Sequence, residues 1–237
     1  MTETVVRFFQ EGGFFMYPIA VILVIGLAIA IERWVYLSSA KRSNRAAFDK
    51  GILPILRKRD YKSALKFAND SQTAIAAIMG AGLSRLVGGS KRDDIEYAME
   101  EGLMETLPRL EKRTPYLATL ANVSTLLGLL GTIIGLIAAF TAVANADPAE
   151  KASLLSQSIS VAMNTTAFGL MAAIPLLLFH SVLQTKTNEI VDSFEMAGIK
   201  VMNIISDRSP VPVVDTEKKA PAHRPSNGSG MQAAPAV

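Results

Sequence analysis

The chain contains no cysteine and only two histidines among its 237 residues. Without cysteine it can form no disulfide, no thiol nucleophile and no Cys-ligated metal site. His180 and His223 lie far apart, and no cluster of carboxylates falls within the apolar segments. No carboxylate pair or catalytic triad is recognisable either. We therefore expect no metal, no cofactor and no enzymatic activity.

Charged residues are also scarce. They make up 19% of the chain, against about 25% in an average soluble domain. Hydrophobic residues make up 50%, and the net charge is only +3. This balance is typical of a protein that lies largely within a lipid bilayer.

Three apolar runs, at 14–31, 116–144 and 153–184, are long enough to cross the hydrocarbon core, which takes about 18 to 20 residues. The first run could instead be a signal peptide, because "AIA" at 28–30 resembles a cleavage site. The residues before it carry one arginine against two glutamates, however, so we favour a membrane span.

The sequence thus predicts an all-α membrane protein with three transmembrane helices, two of them extended far into the cytoplasm, and a helical cytoplasmic loop domain. We divide the chain into an outer-leaflet interfacial segment or disordered lead (1–13), a first transmembrane helix (14–38), a cytoplasmic helical loop (39–113), a second transmembrane helix (114–145), a periplasmic linker (146–152), a third transmembrane helix with a cytoplasmic extension (153–206), and a disordered tail (207–237).

The distribution of lysine and arginine predicts the orientation of the chain. Residues 39–113 carry fifteen of them, whereas the linker carries only Lys151 and the amino-terminal segment only Arg7. Cytoplasmic loops are enriched in these residues. We therefore expect the N-terminus in the periplasm and the C-terminus in the cytoplasm. Because the loop also carries ten acidic residues, it is not a nucleic-acid-binding surface.

Helix-capping residues predict the helices of this loop. Asp60 is placed to cap "YKSALKFAND", and Ser71 to cap "QTAIAAIMGAGLSRLV", which Gly88 and Gly89 end. No further turn signal precedes the second span, so we expect one helix, kinked at most by its prolines, over about 91–144. It would be about 80 Å long at 1.5 Å per residue.

A helical stripe also continues the third span beyond His180. It comprises Leu183, Ile190, Phe194, Val201 and Ile205. We expect this extension to pack on the loop helices. At the cytoplasmic end of the first span, Glu32 and Arg33 are interpreted as snorkelling side chains or as a local ion pair.

Small and polar residues recur at helical spacing in the second and third spans. One face combines Thr125, Gly128, Thr132 and Gly135, and the other combines Ser158, Ala162, Thr165, Gly169 and Ala172, widened by Thr166 and Ala173. Small residues let helix backbones approach closely, so packing alone can explain much of this pattern.

The polar group at the middle of the third span goes beyond what packing requires. Asn164, Thr165 and Thr166 follow Ser158 within nine residues, opposite hydroxyl groups of the second span. Such groups bind water or another chain's ionisable side chain without holding a proton themselves. We therefore expect a wet or partner-filled cavity lined by Thr125, Thr132, Ser158, Asn164, Thr165 and Thr166.

Two stretches resemble the signature segments of the ExbB/TolQ proton-channel family, which is related to MotA. They are "GLLGTIIGLIAAF" at 128–140 and "NTTAFGLMAAIPLLL" at 164–178. The likeness extends to "GGFFMYPIAV" before the first span and to the order of spans and loops. MotA-type proteins have four spans, so three spans favour the ExbB/TolQ branch.

This resemblance implies a homopentamer in the bacterial inner membrane, with the second and third spans lining a pore. An ExbD- or TolR-like single-span partner would sit in the pore and carry the proton on an aspartate, driving a TonB- or TolA-like protein. The pore threonines of the family correspond to Thr132 and Thr166. The family's glutamate five residues before Thr166 is Val161 here, so the partner's aspartate suffices, the pathway differs, or this member performs another task.

Other functions stay open on the sequence. A gliding-motility stator of the same family is one, a stand-alone transporter or channel is another, and a passive scaffold is a third. A hydroxyl-lined pore also serves sodium as well as protons.

Overall fold

The computed structural model describes residues 13–206. About 89% of them are helical and none of them forms a strand, which confirms the predicted all-α class. The predicted interfacial segment 1–13, apart from Gly13, and the predicted disordered tail 207–237 lie outside the described residues.

Seven α-helices and one π-helical segment make up the described chain. They are α1 (Met16–Ala46), the π-helical segment (Ala47–Ile52), α2 (Leu53–Arg57), α3 (Tyr61–Asp70), α4 (Ala74–Val87), α5 (Arg92–Glu111), α6 (Thr114–Ala144) and α7 (Lys151–Ser206). Three helical stretches, Met16–Arg57, Arg92–Ala144 and Lys151–Ser206, are long and apolar enough to cross a membrane. The chain is therefore a multi-pass membrane protein, as predicted.

Helix α7 runs without interruption for 56 residues, with Pro175 inside it. At 1.5 Å per residue it is about 84 Å long, far more than a bilayer requires. The five residues of its predicted cytoplasmic stripe are all buried. They join one core with residues of α1, α4 and the π-helical segment, such as Leu37, Ile75 and Ile52. The predicted packing of this extension on the loop helices is confirmed.

The predicted single helix over 91–144 is wrong. Helix α5 ends at Glu111 and α6 begins at Thr114, with Arg113 between them in the left-handed conformation (φ 69°, ψ −19°). Pro115 lies in the first turn of α6, where its missing N–H costs no hydrogen bond. Pro108, by contrast, lies inside α5 without ending it. The segment is therefore a jointed pair of helices.

Two of the three predicted helix signals in the loop are confirmed. The Asp60 carboxylate accepts a hydrogen bond from the Ser63 backbone N–H at 3.1 Å and caps α3. Hydrogen bonding with Ser63 also lowers the pKa of Asp60 below its ordinary value. Gly88 follows the end of α4, and Gly89 has a positive φ of 79°.

The predicted cap at Ser71 is wrong, because α4 begins three residues later. The hydroxyl group of Ser71 lies 3.0 Å from that of Thr73 instead. The backbone N–H of Ile75, in the first turn of α4, donates to the side-chain oxygen of Asn44 at 2.9 Å. Asn44 is buried and 31 residues away in α1, so the cap comes from a tertiary contact.

Candidate ion-conducting site

Helices α6 and α7 meet along a seam of small residues. Four residues of α6 face α7, namely Ser124, Gly128, Gly131 and Gly135, and they oppose Gly169, Thr166, Thr165 and Ala162 of α7. The residue numbers rise along one helix as they fall along the other, so the helices are antiparallel. A Cβ atom added at Gly169 would lie only 2.8 Å from the Ser124 carbonyl oxygen. The two backbones therefore approach as closely as glycine allows.

Two hydroxyl groups donate hydrogen bonds across this seam. Ser124 donates to the carbonyl oxygen of Gly169 at 3.1 Å, and Thr166 donates to the carbonyl oxygen of Gly128 at 2.7 Å. Interhelical hydrogen bonds of this kind contribute about 0.6 to 2 kcal/mol each in a membrane. The seam is thus held by polar contacts as well as by close packing.

The start of α1 covers one side of the seam. The Phe15 side chain approaches Gly131, and the Val161 side chain lies 3.2 Å from the position a Cβ would take at Gly13. Thr165 is buried beside Gly131, and its hydroxyl group donates to the carbonyl oxygen of Val161 at 3.0 Å. Val161 is therefore packed against the start of α1.

Thr166 belongs to the seam but lies at its edge away from α1, and Thr132 lies just beyond that edge. Thr132 comes directly after Gly131, and Thr166 comes directly after Thr165. When two helices pack in antiparallel directions, the residues that follow the contact residues turn to the same side on both helices. Thr125 lies seven residues before Thr132 and so shares its face. Thr132 is half-buried and Thr125 is exposed. The structure thus brings three of the six predicted residues to one partly exposed side of the seam.

The predicted face of α6 needs a correction of one residue. Gly128 and Gly135 lie in the seam as expected, but Ser124 and Gly131 complete it, whereas Thr125 and Thr132 flank it. The hydroxyl groups of Thr125 and Thr132 donate to carbonyl oxygens of their own helix, those of Ala121 at 3.2 Å and Leu129 at 2.6 Å.

The remaining candidates do not join this side. Asn164 precedes Thr165 and is turned away from Thr166 by about two helical positions, or roughly 200°. Ser158 is half-buried two turns before Thr165, near the start of α7. The structure therefore separates Asn164, Thr165 and Ser158 from the group formed by Thr125, Thr132 and Thr166.

Ionisable side chains are absent from the parts of α6 and α7 that form the seam. Residues 114–149 contain Asp147 as their only acid and no lysine or arginine, and residues 152–185 contain none of the four charged types. No group of three or more potential metal ligands occurs among residues 13–206.

Glu32 and Arg33 make contacts with α5 and with the joint after it that the sequence did not predict. Arg33 is buried, at 3% exposure, and its guanidinium donates to the carbonyl oxygen of Leu110 in the last turn of α5. Glu32 accepts a hydrogen bond from Arg113 at 3.0 Å. Glu32 thus forms a local ion pair, as one of the two interpretations had it, with Arg113 as its partner. Arg33 is buried and does not snorkel. Both residues contact the joint between α5 and α6.

The fold and the site define a class of protein: a three-span membrane protein whose polar seam carries no charge of its own. Residues 70–196, more than half of the chain, match the MotA/TolQ/ExbB proton channel family. The chain belongs to this family, which confirms the resemblance inferred from the two signature segments.

Relatives with curated names agree with this assignment. A biopolymer transport protein ExbB homologue from Methanothermobacter thermautotrophicus is 30% identical over 194 residues. These residues cover 81% of this chain and 67% of the relative. An ExbB-like protein from Synechocystis sp. is 30% identical over 178 residues, covering 74% and 83%. The Tol-Pal system protein TolQ from Haemophilus influenzae is 36% identical over 97 residues, covering 41% and 42%.

Proposed function

We propose that this chain is the ion-conducting subunit of a motor in the bacterial inner membrane. Several copies, five by analogy with the family, enclose a tunnel that holds an ExbD- or TolR-like single-span partner. Proton flow turns or shifts that partner, which energises a TonB- or TolA-like protein. Family membership and the partly exposed hydroxyl face formed by Thr125, Thr132 and Thr166 support this proposal.

The chemistry of that face suits a mobile carboxylate belonging to the partner. The hydroxyl groups of Thr125, Thr132 and Thr166 donate to backbone carbonyl oxygens. In every copy they can accept a hydrogen bond from the protonated carboxyl, and they can donate to the ionised carboxylate by exchanging the carbonyl partner. The carboxyl group can therefore pass between equivalent positions. A fixed lysine or arginine would pair with the carboxylate and arrest it, and residues 152–185 carry neither. One charge that crosses 100 mV releases about 2.3 kcal/mol, which is the energy available for each step.

The distribution of lysine and arginine supports the orientation of this motor, with the N-terminus in the periplasm and residues 39–113 in the cytoplasm. In that orientation α7 carries any change at the tunnel directly to the cytoplasmic core. Val161 leaves the chain without the family's glutamate, so in this proposal the partner supplies the only titrating group of the pathway.

A passive membrane scaffold is the second candidate, and a specific observation favours it. The Thr166 hydroxyl is already bonded to Gly128, and Ser124 is bonded to Gly169. If all the polar residues of α6 and α7 serve packing, replacing Thr132, whose hydroxyl bonds only within its own helix, should have no functional effect.

Thr132→Val tests the proposal, because it removes one hydroxyl group at nearly constant volume outside the seam. We expect at least a tenfold loss of proton flux in proteoliposomes that contain the chain and its single-span partner, and recovery in Thr132→Ser. Thr141→Val is the matched control, since Thr141 is exposed on α6 and also bonds only within its helix. Unchanged flux in a correctly inserted Thr132→Val protein would favour the scaffold.

A further inference from the structure

Two grooves lie on the cytoplasmic part of α7. The first, the acidic groove, lies between α5 and α7, has a volume of about 220 Å³ and is floored by apolar residues such as Met99 and Met202. The second, the basic groove, lies between the end of α1 and α7, has a volume of about 270 Å³ and is floored by residues such as Phe48 and Ile75. Both are open clefts rather than closed cavities of the core.

The two grooves carry opposite charge. Glu96, Glu100 and Glu195 line the acidic groove together with Arg92, which leaves two net negative charges. Lys41, Arg45 and Lys200 line the basic groove together with Asp49. Glu189 pairs with Lys41 at 2.6 Å, so one net positive charge is left.

The grooves lie on opposite sides of α7 but at the same height along it. Glu195, Ile199 and Met202 of α7 line the acidic groove, whereas Ser193, Ala197 and Lys200 line the basic groove. At 100° per residue these two sets point in roughly opposite directions. Phe194 contributes to both grooves, which fixes their common height.

Exposed apolar side chains in both grooves indicate that each groove binds another protein surface. Ile199 in the acidic groove is 55% exposed and Met196 in the basic groove is 54% exposed. They lie on the cytoplasmic extension of α7, more than a helical turn beyond the charged residues Lys186 and Glu189, so lipid tails do not cover them. Large apolar side chains gathered at a cleft are typical of a protein contact.

We propose that the acidic groove of one copy contacts the basic groove of the next copy around the ring. This inference rests on the proposed assembly of several copies. A ring whose axis follows the membrane normal keeps every residue at one depth in all copies, so contacting surfaces must lie at equal height. The two grooves meet that condition, have complementary charge and face opposite directions, as a head-to-tail contact that closes into a ring requires.

The basic groove holds its charges in exposed ion pairs that a neighbour can replace. Lys41 contacts Glu189 at 2.6 Å and Arg45 contacts Asp49 at 3.4 Å, and all four side chains are exposed. Exposed pairs of this kind contribute little to stability, so exchanging one carboxylate partner for another costs little. Lys200 is exposed as well.

Engineered cysteines test the contact directly, because the chain has no cysteine of its own. Glu100→Cys with Lys200→Cys places one thiol in each groove, on opposite sides of α7, so an oxidised pair has to join two copies. In membranes that contain the full chain, we expect a ladder of covalent multimers. Glu101→Cys with Lys200→Cys is the matched control, since Glu101 lies on the far face of α5 and should give at most one fifth of the cross-linking.

Charge reversal tests the electrostatic part of the contact. Ile199 and Ser193 are exposed, and each lines one of the two grooves. In the cysteine pair Ile199→Cys with Ser193→Cys, adding Glu96→Lys and Glu100→Lys should reduce cross-linking at least fivefold. Adding Arg45→Glu and Lys200→Glu to that same chain exchanges the two charges and should restore it. Equal cross-linking in all three chains would overturn the charge pairing, and a missing ladder in both cysteine pairs would overturn the contact.

The mass of the unmodified protein in mild detergent separates this inference from the proposed function. A multimer that gives no ladder contradicts the groove contact and leaves the motor intact as a proposal. A monomer contradicts both, since the proposed tunnel needs several copies.

Discussion

Glu32 accepts a hydrogen bond from Arg113 at 3.0 Å, although the two residues lie 81 positions apart in the chain. Arg113 is the residue with left-handed backbone at the joint between α5 and α6. Beside it, Arg33 donates to the carbonyl oxygen of Leu110, one of the last four of α5, which have no partner within their helix. Two consecutive residues of α1 thus hold both sides of the joint.

Two substitutions at the joint should change the free energy of unfolding in opposite directions. Arg113→Gly removes the left-handed strain of about 1 to 2 kcal/mol but also removes an ion pair of about 0 to 1 kcal/mol, because both partners are half-exposed. We expect it to be neutral or stabilising, whereas Glu32→Gln should destabilise by less than about 1 kcal/mol. Chemical unfolding of the full chain in micelles measures both.

Lys112→Gly is the control for this pair. Lys112 has a negative φ of −47°, so glycine relieves no strain there and only adds backbone freedom. If Arg113→Gly destabilised the chain as much as Lys112→Gly, the left-handed conformation would not be the source of the difference.

Gly169→Ala should separate α6 from α7. The added methyl group would lie 2.8 Å from a backbone oxygen of Ser124 and 3.0 Å from the Cα atom of Gly128, and neither atom can rotate away. We expect a loss of about 1 to 3 kcal/mol in the free energy of unfolding.

Gly198→Ala is the matched control on the same helix, because nothing lies within 4 Å of the added atom. Alanine favours a helix interior over glycine by about 1 kcal/mol, so this variant should be stabilised. Similar losses in both variants would argue against a tight seam.

Asn44→Ala should remove the cap of α4 and lower the free energy of unfolding by about 0.5 to 2 kcal/mol. The buried Asn44 side chain also donates to the carbonyl oxygen of Ala40 at 2.8 Å, within its own helix. Ser71→Ala, at the position that the sequence favoured, should change the stability by less than about 0.5 kcal/mol. A larger loss of stability in Ser71→Ala than in Asn44→Ala would identify Ser71 as the cap instead.

The Lys41–Glu189 pair predicts a loss of stability in acid. The hydrogen bond and charge of Lys41 lower the pKa of Glu189 in the folded chain. A group with a lowered pKa stabilises the fold above its unfolded pKa, about 4.3 for glutamate, and that contribution fades as the pH falls through the lower folded pKa. Glu189→Gln should therefore be less stable than the parent at pH 7 and equal to it at the acid end. Lys41→Met should remove the same difference, and an unchanged pH profile in both would contradict the assignment.

The sequence predicted what periodicity and caps encode. The three long apolar helices, the cap at Asp60 and the buried stripe from Leu183 to Ile205 follow from composition and spacing along one segment. The cap of α4 by Asn44 could not be predicted, because it joins residues that are neighbours only in the fold. The joint at Arg113 was equally hidden, since arginine does not signal a positive φ as glycine does.

The candidate site was likewise predicted in part, because some of its features follow from spacing and others depend on the fold. The small residues of α6 and α7 indicated close packing, but spacing alone cannot show which of two adjacent residues faces the partner helix. Ser124 and Thr125, or Gly131 and Thr132, differ by only 100° around α6. The contacts of Gly128 and Gly169 decide between them. The separation of Asn164 from Thr166, by contrast, follows from the helical period alone, since two positions turn a residue by about 200°.

Helix α7 has no joint along its 56 residues, whereas its neighbour is broken at Arg113. Over about 84 Å, a tilt of one degree moves the far end of the helix by about 1.5 Å. A tilt at the polar stretch around Thr165 would therefore reach Phe194 and the core around it through one rigid element. No such continuous path runs along α5 and α6, which Arg113 separates.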